Sequence, residues 1–291
     1  YAVHTPIQAK ADVTAKYEAK PKSQHQNAKY AAMVQSVDDA MGHVQKTLVE
    51  LGLADRTVVI FTSDNGGLLG PTNNAPLRSG KGHPFEGGVR VPAQAWWPGV
   101  IEPGQIAGDI IHEVDLFTTF ARLAGATQYI PTDRIVDGID QTSLLLNGDT
   151  HSRRDHVFIY AGPRLGATVK GNFKRHWISP DPVGEASGIP AAFFFLPPDP
   201  REKSPMLANL IHLKSPFNRM RLRHELWKKK YPDSRDKKGI PWTGIENATP
   251  EVEALSRPYV DKNKLPFDPL EYIEHLDELP FDPNMDPDIG Q

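Results

Sequence analysis

The sequence predicts an α/β fold, with helices flanking a central, mostly parallel sheet, followed by a smaller antiparallel α+β unit at the C-terminal end. Three observations predict it. A long amphipathic helix is followed almost at once by a buried-type strand, the alternation of helix and strand continues to about residue 150, and beyond that point short β-type runs lie between glycine and proline turns. The expected division is therefore residues 1–150 as the α/β domain and 151–291 as a small antiparallel subdomain ending in a proline-rich tail.

The helix is expected over residues 23–52. Ser23 with Gln26 three positions on has the pattern of a capping box, and Val34, Val37, Met41, Val44, Leu48 and Leu51 form one apolar stripe. Gly52 is placed to stop it. Thr57-Val58-Val59-Ile60-Phe61-Thr62 is an unbroken β-branched and aromatic run, the kind found in a strand covered on both faces. A second strand is expected at 93–97 and a helix from Glu113 to Ala124, with Gly125 as its left-handed cap. In the second region the runs 156–160 and 173–177 read as strands and Met220–Lys230 as a basic helix. The tail repeats Leu-Pro-Phe-Asp-Pro at Leu265 and Leu279, and its prolines suit an extended covering arm.

With 291 residues, 39% hydrophobic and 24% charged, the chain can bury a sizeable core. A formal net charge of -3 supplies no broad basic field, so nucleic acid is not an expected partner and any anion site must be local. The absence of cysteine excludes disulfides, thiolate metal sites and a cysteine nucleophile within these residues. No run approaches the roughly 18–20 apolar residues of a membrane span. Tyr1 opens directly into a motif without a methionine, and the sequence is expected to start inside a longer protein.

Three features carry chemistry. Ser63-Asp64-Asn65-Gly66-Gly67 follows the buried-type strand, where α/β proteins bind ligands outside the carboxyl ends of their strands. Asp64 and Asn65 are hard oxygen donors suited to Ca²⁺ or Mg²⁺, although such a tetrapeptide also makes an ordinary turn. Residues 77–92 form a glycine-rich loop in which Lys81 stands between two glycines, where a compact charge can approach an oxyanion. Glu86 of the same loop can hold Arg90, and His83, two positions from Lys81, is expected to face the same cleft and bear on substrate choice. His4-Thr5-Pro6 presents an imidazole able to bind an anion oxygen or protonate a leaving alkoxide.

The order of these features resembles the sulfatase family of the alkaline-phosphatase-like superfamily, from residue 1 to about residue 150. Tyr30 through Asp38 to Leu53, Val114–Thr119, Leu123–Ala126, Asp137-Gly138 and Leu144 continue it, and Phe193–Glu202 looks like the family's segment before its last helix. The resemblance implies that Asp64 and Asn65 are the second pair of calcium ligands, that Lys81 contacts the sulfate and that His4 lies at the ester oxygen. It further implies a nucleophile from a Cys or Ser-x-Pro-x-Arg motif, oxidised to formylglycine, and a first Asp-Asp calcium pair, both expected in an upstream segment. Ser256-Arg257-Pro258-Tyr259-Val260 has valine where that motif requires arginine. The expected activity is hydrolysis of a sulfate ester on a small molecule or glycan, by a periplasmic or secreted protein, with this chain inactive alone. Two alternatives stay open: a phosphonate or phosphate ester hydrolase of the same superfamily, and a non-catalytic binder of sulfated glycan with the basic stretch 219–230 as a rim. Asn247-Ala248-Thr249 is a sequon only where the host glycosylates.

Overall fold

The computed structural model describes residues 2–22, 27–132, 135–148, 151–162, 164–178, 192–206 and 211–230. It divides into two compact units, Tyr1–Leu207 and Ala208–Gln291. The boundary expected near residue 150 falls inside the first unit, close to where its helical part gives way to an antiparallel sheet. Ser23, Gln26, the sequon, Ser256 and the tail repeats lie outside the described residues.

Helix α1 (Ala11–Glu18) packs on α2 (Ala28–Glu50), and Lys16 Nζ and Tyr17 Oη both donate to Gln35 Oε1, at 2.8 and 3.0 Å. The expected start of α2 is corrected: Asn27 caps it, its side chain accepting from Tyr30 N at 3.1 Å. The far end follows the sequence. Gly52 takes φ +63°, its N–H reaches Val49 O and that of Leu53 reaches Leu48 O, the paired bonds of a Schellman stop. The apolar stripe is less covered than its spacing predicts. Val34, Val44 and Leu51 are exposed, and burial in α2 is confined to Ala32 and Met33.

The expected mostly parallel sheet is not seen among the described residues. Strand β1 (Val59–Thr62) pairs antiparallel with β2 (Ala93–Trp96), Val59 opposite Trp96 and Thr62 opposite Ala93. The long loop between them, which contains the one-turn helix α3 (Glu86–Val89), folds back on itself and returns alongside β1, whereas a parallel partner needs a crossover that restarts at the same end. All four β1 residues are half-buried, not covered on both faces. Helix α4 (Asp115–Leu123) ends on Gly125 at φ +65°, and α5 (Thr142–Asn147) follows.

Strands β3 (His156–Ala161), β4 (Arg164–Lys170), β5 (Phe173–His176) and β6 (Phe193–Phe195) form a four-stranded antiparallel sheet in chain order. The core of the unit sits here, on Ile159, Leu165, Ala167, Phe193, Phe194 and Leu196, with Phe85 of the glycine-rich loop also buried. Period-2 alternation along β5 puts Lys174 and His176 on one face and Arg175 on the other, where its guanidinium stacks 4.0 Å from the Trp177 ring centre. All three are buried. In the second unit, helix α6 (Ile211–Lys230) contains Pro216 and begins nine residues before the expected Met220.

Candidate active site

The turn after β1 is built to receive a second loop at backbone distance. Ser63 Oγ donates to Asn65 O at 2.9 Å, and Gly66 N donates to Gly88 O at 3.0 Å. Glycine is obligatory at this crossing, because a β-carbon on Gly66 would stand 1.8 Å from the Gly87 carbonyl oxygen. Gly87 is equally constrained, with Arg78 O and Ser79 O each 2.4 Å from the position of its missing β-carbon. The glycines bring loop to loop, where the sequence suggested backbone amides meeting a ligand.

A residue that sequence reasoning missed locks the two loops together. The Asn74 carboxamide accepts from Gly67 N at 2.9 Å and donates to Gly67 O at 2.8 Å and Ser79 O at 2.9 Å. Lys81 N also donates to Gly67 O, at 3.1 Å, so the backbone of Lys81 is fixed three residues from Asp64. The signal was present as an Asn-Asn pair two residues before Pro76, between the two glycine-containing motifs, but such residues usually satisfy their own turn.

Lys81 and His4 are brought together across 77 residues: Lys81 Nζ lies 3.3 Å from His4 Nε2. His4 Nδ1 lies 2.9 Å from Thr5 O, which fixes the tautomer. A carbonyl can only accept, so Nδ1 carries the proton and Nε2 receives one from the lysine ammonium. Both side chains are exposed, at the rim of the joined loops. His83 is half-buried, and its N–H donates to Gly80 O at 3.1 Å, which places it on this loop without directing its ring.

Asp64 and Asn65 form the other part of the rim. Asp64 is exposed, and Asn65 turns its Nδ2 onto Asp64 Oδ1. That leaves Asn65 Oδ1 buried with no hydrogen-bond partner, a costly state for an acceptor unless a cation or donor meets it. A carboxylate beside an orphaned amide oxygen suits a hard divalent cation, so the pair fits the metal expected of it. Among the described residues no cluster of three or more His, Cys, Asp or Glu side chains adds to it.

Behind the Lys81 loop lies a buried charge cluster. Lys174 Nζ contacts Glu86 Oε1 at 2.9 Å and Glu202 Oε1 at 3.2 Å, and His176 Nε2 donates to Glu202 Oε1 at 2.7 Å. Arg90, which the sequence paired with Glu86, is a looser partner at 3.7 Å. Burial alone would raise the Glu202 carboxyl. The hydrogen bond from His176 and the charge of Lys174 outweigh it and hold the group below its usual range. Burial also lowers the His176 imidazole, against the opposing pull of Glu202, so it is neutral with its proton on Nε2. Asp115 is the hub of a second network: it is fully buried, is gripped by Arg154 and accepts from the N–H groups of His112 and Ile139.

A strand thus leads to paired oxygen donors, joined through glycines to a loop lysine that meets a histidine. The family model described as Sulfatase matches residues 1–126. Over this segment, less than half of the 291 residues, the chain is similar to the sulfatase family. It is 38% identical over 182 residues to human N-acetylgalactosamine-6-sulfatase, covering 60% of this chain and 32% of that protein. It is 40% identical over 177 residues to steryl-sulfatase of Rattus norvegicus, covering 58% and 28%. Among solved structures, the PsFucS1 sulfatase of Pseudoalteromonas sp. superposes with a TM-score of 0.62 at 31% identity, over 71% of this chain and 44% of that one. The chain thus spans about a third of the length of the curated relatives it matches.

Proposed function

We propose that the protein carrying this chain hydrolyses sulfate esters, with Lys81 and His4 at the sulfate and Asp64 and Asn65 holding a calcium ion beside it. The observation that carries the reading is the 3.3 Å contact of Lys81 Nζ with His4 Nε2, with the Lys81 loop pinned to the turn that bears the orphaned Asn65 Oδ1. An anion entering between these groups takes the lysine proton donor for itself and frees Nε2. Lys81 then neutralises charge on the sulfate oxygens as the ester bond breaks. His4 Nε2 has to carry a proton before it can serve the departing oxygen, and at the exposed rim solvent supplies it, so Lys81 keeps its charge. Calcium, when bound, supplies a concentrated positive charge next to the same oxygens, and Mg²⁺ suits the donors less well.

The nucleophile in this reading is a formylglycine contributed by residues outside these 291, because the sequence has no cysteine and no serine in the required motif. The substrate class is a sulfated small molecule or glycan, with His83 a candidate for choosing among them. The relatives named for N-acetylgalactosamine 6-sulfate and for steryl sulfate are consistent with the chemistry but not with one leaving group. The test is a side-by-side assay of an aryl sulfate and an aryl phosphate diester with the full-length protein. Turnover of the sulfate is expected, with Lys81→Ala lowering kcat/KM by about 10²- to 10³-fold, as for other lost oxyanion donors. Preference for the phosphate diester would favour the phosphoryl hydrolase reading, and binding of sulfated glycan without turnover would favour a non-catalytic binder.

A further inference from the structure

We infer that Glu202 is a positioning residue for Lys81, acting from outside the 1–126 segment that the family model matches. The inference rests on the proposed role of Lys81 in holding sulfate. One residue fastens both ends of the Lys81 loop. At the start of the loop, Arg78 Nη1 donates to the Glu202 carbonyl at 2.9 Å, and at its end Glu86 N donates to Glu202 Oε2 at 2.6 Å. Gly87 N closes the loop onto Arg78 O at 2.8 Å, so residues 78–87 form a ring whose base is Glu202.

The remaining atoms of Glu202 are committed inward. Its Oε1 accepts from His176 Nε2 and faces Lys174, which also holds the Glu86 carboxylate, so the staple is anchored to β5. The His176 ring is in turn flanked by Phe85 at 5.0 Å and Phe194 at 5.7 Å between centres. Arg78 stacks 4.2 Å from the Phe85 ring centre, which orients it toward the Glu202 carbonyl. Glu202 holds φ +49°, a left-handed conformation that costs a non-glycine residue free energy and persists only where the surroundings impose it. Ser79, inside the loop, has φ +62°. Strain at a base residue and within the ring it fastens is what a preorganised loop requires: the energy is met by the buried cluster, and Lys81 is presented at a fixed place on the exposed rim.

A merely structural Glu202 and a positioning Glu202 differ in one measurable way, which is whether its effect passes through Lys81. The experiment is a double-mutant cycle in the full-length protein, with inorganic sulfate as the probe and its dissociation constant as the readout. Lys81→Ala is expected to weaken sulfate binding about tenfold and Glu202→Gln about three- to tenfold, while the double variant should be no weaker than Lys81→Ala alone. Additive losses would overturn the inference and leave the role of Lys81 standing. No loss in Lys81→Ala itself would instead overturn the reading on which the inference rests. Should Glu202→Gln fail to fold, Arg78→Lys, which loosens only the other end of the ring, goes through the same cycle, and the same two outcomes decide.

Discussion

Single residues hold this site through bonds that a substitution can remove one set at a time. Asn74 makes three hydrogen bonds to the backbone of two loops and does no chemistry itself. Asn74→Ala is therefore expected to cost about 1–3 kcal/mol in denaturant unfolding, because Gly67 N and Ser79 O lose their Asn74 partner together, while Gly67 O keeps Lys81 N. Asn74→Asp should recover the bond from Gly67 N alone. His176 gives a pH signature. Its imidazole titrates below 6.5 in the folded chain, so the unfolded chain takes up the proton first. Stability is then fully present above pH 6.5 and declines as the pH falls toward the folded value, by at most about 1.4 kcal/mol per pH unit for one proton. Unfolding midpoints measured at pH 7.5 and 5.5 should differ less in His176→Gln, which can still donate to Glu202. His112, lowered first by burial and then by Arg154, sustains part of the wild-type difference.

At the level of elements, helix ends were legible and strand partners were not. Gly52 and Gly125 both take positive φ and close Schellman pairs, as a glycine after the last apolar residue of a stripe predicts. Gly52→Ala should cost about 1 kcal/mol in chemical denaturation, with nothing within 4 Å of the added methyl, so the loss reports backbone conformation alone. A neutral result would show that Leu51–Leu53 can end the helix another way. The pairing of β1 lay beyond the sequence because a four-residue apolar run specifies a strand without its direction. The loop between β1 and β2 decides direction, through contacts such as Gly66 with Gly88 that no local pattern encodes. The same holds for β5, whose Lys-Arg-His run reads as surface and is buried, because its partners Glu86 and Glu202 lie 88 and 28 positions away from Lys174 in opposite directions.

Across the whole molecule, two buried charge clusters fix how distant segments meet. Lys174→Met should destabilise the chain by about 3–5 kcal/mol, since Glu86 and Glu202 would face each other without their shared cation. A loss below about 1 kcal/mol would mean that water reaches the cluster. The proposed metal site has the opposite character. Asp64 and Asn65 bring one formal negative charge to an ion that prefers six to eight oxygens, so calorimetric titration of the 291-residue chain with Ca²⁺ should show binding weaker than about 10⁻⁴ M. Tight stoichiometric binding abolished by Asp64→Ala would place further ligands within this chain.

The sequence alone determined the residue types at the site, their order, and the helices that frame it. Asp64, Asn65, Lys81 and His4 stood out through the order in which their three motifs follow one another, since each motif alone also suits an ordinary turn, loop or surface position. It also set the two glycine stops, since a left-handed cap depends only on neighbouring residues. Tertiary structure decided the rest: the antiparallel return of β2, the 3.3 Å meeting of Lys81 with His4, the orphaned oxygen of Asn65, and the roles of Asn74, Lys174, His176 and Glu202. Each of these depends on groups far apart in the chain. A hydrogen bond or buried ion pair contributes only once folding has removed water from both partners, and which partners meet is set by the packing of loops and strands, not by the residues on either side.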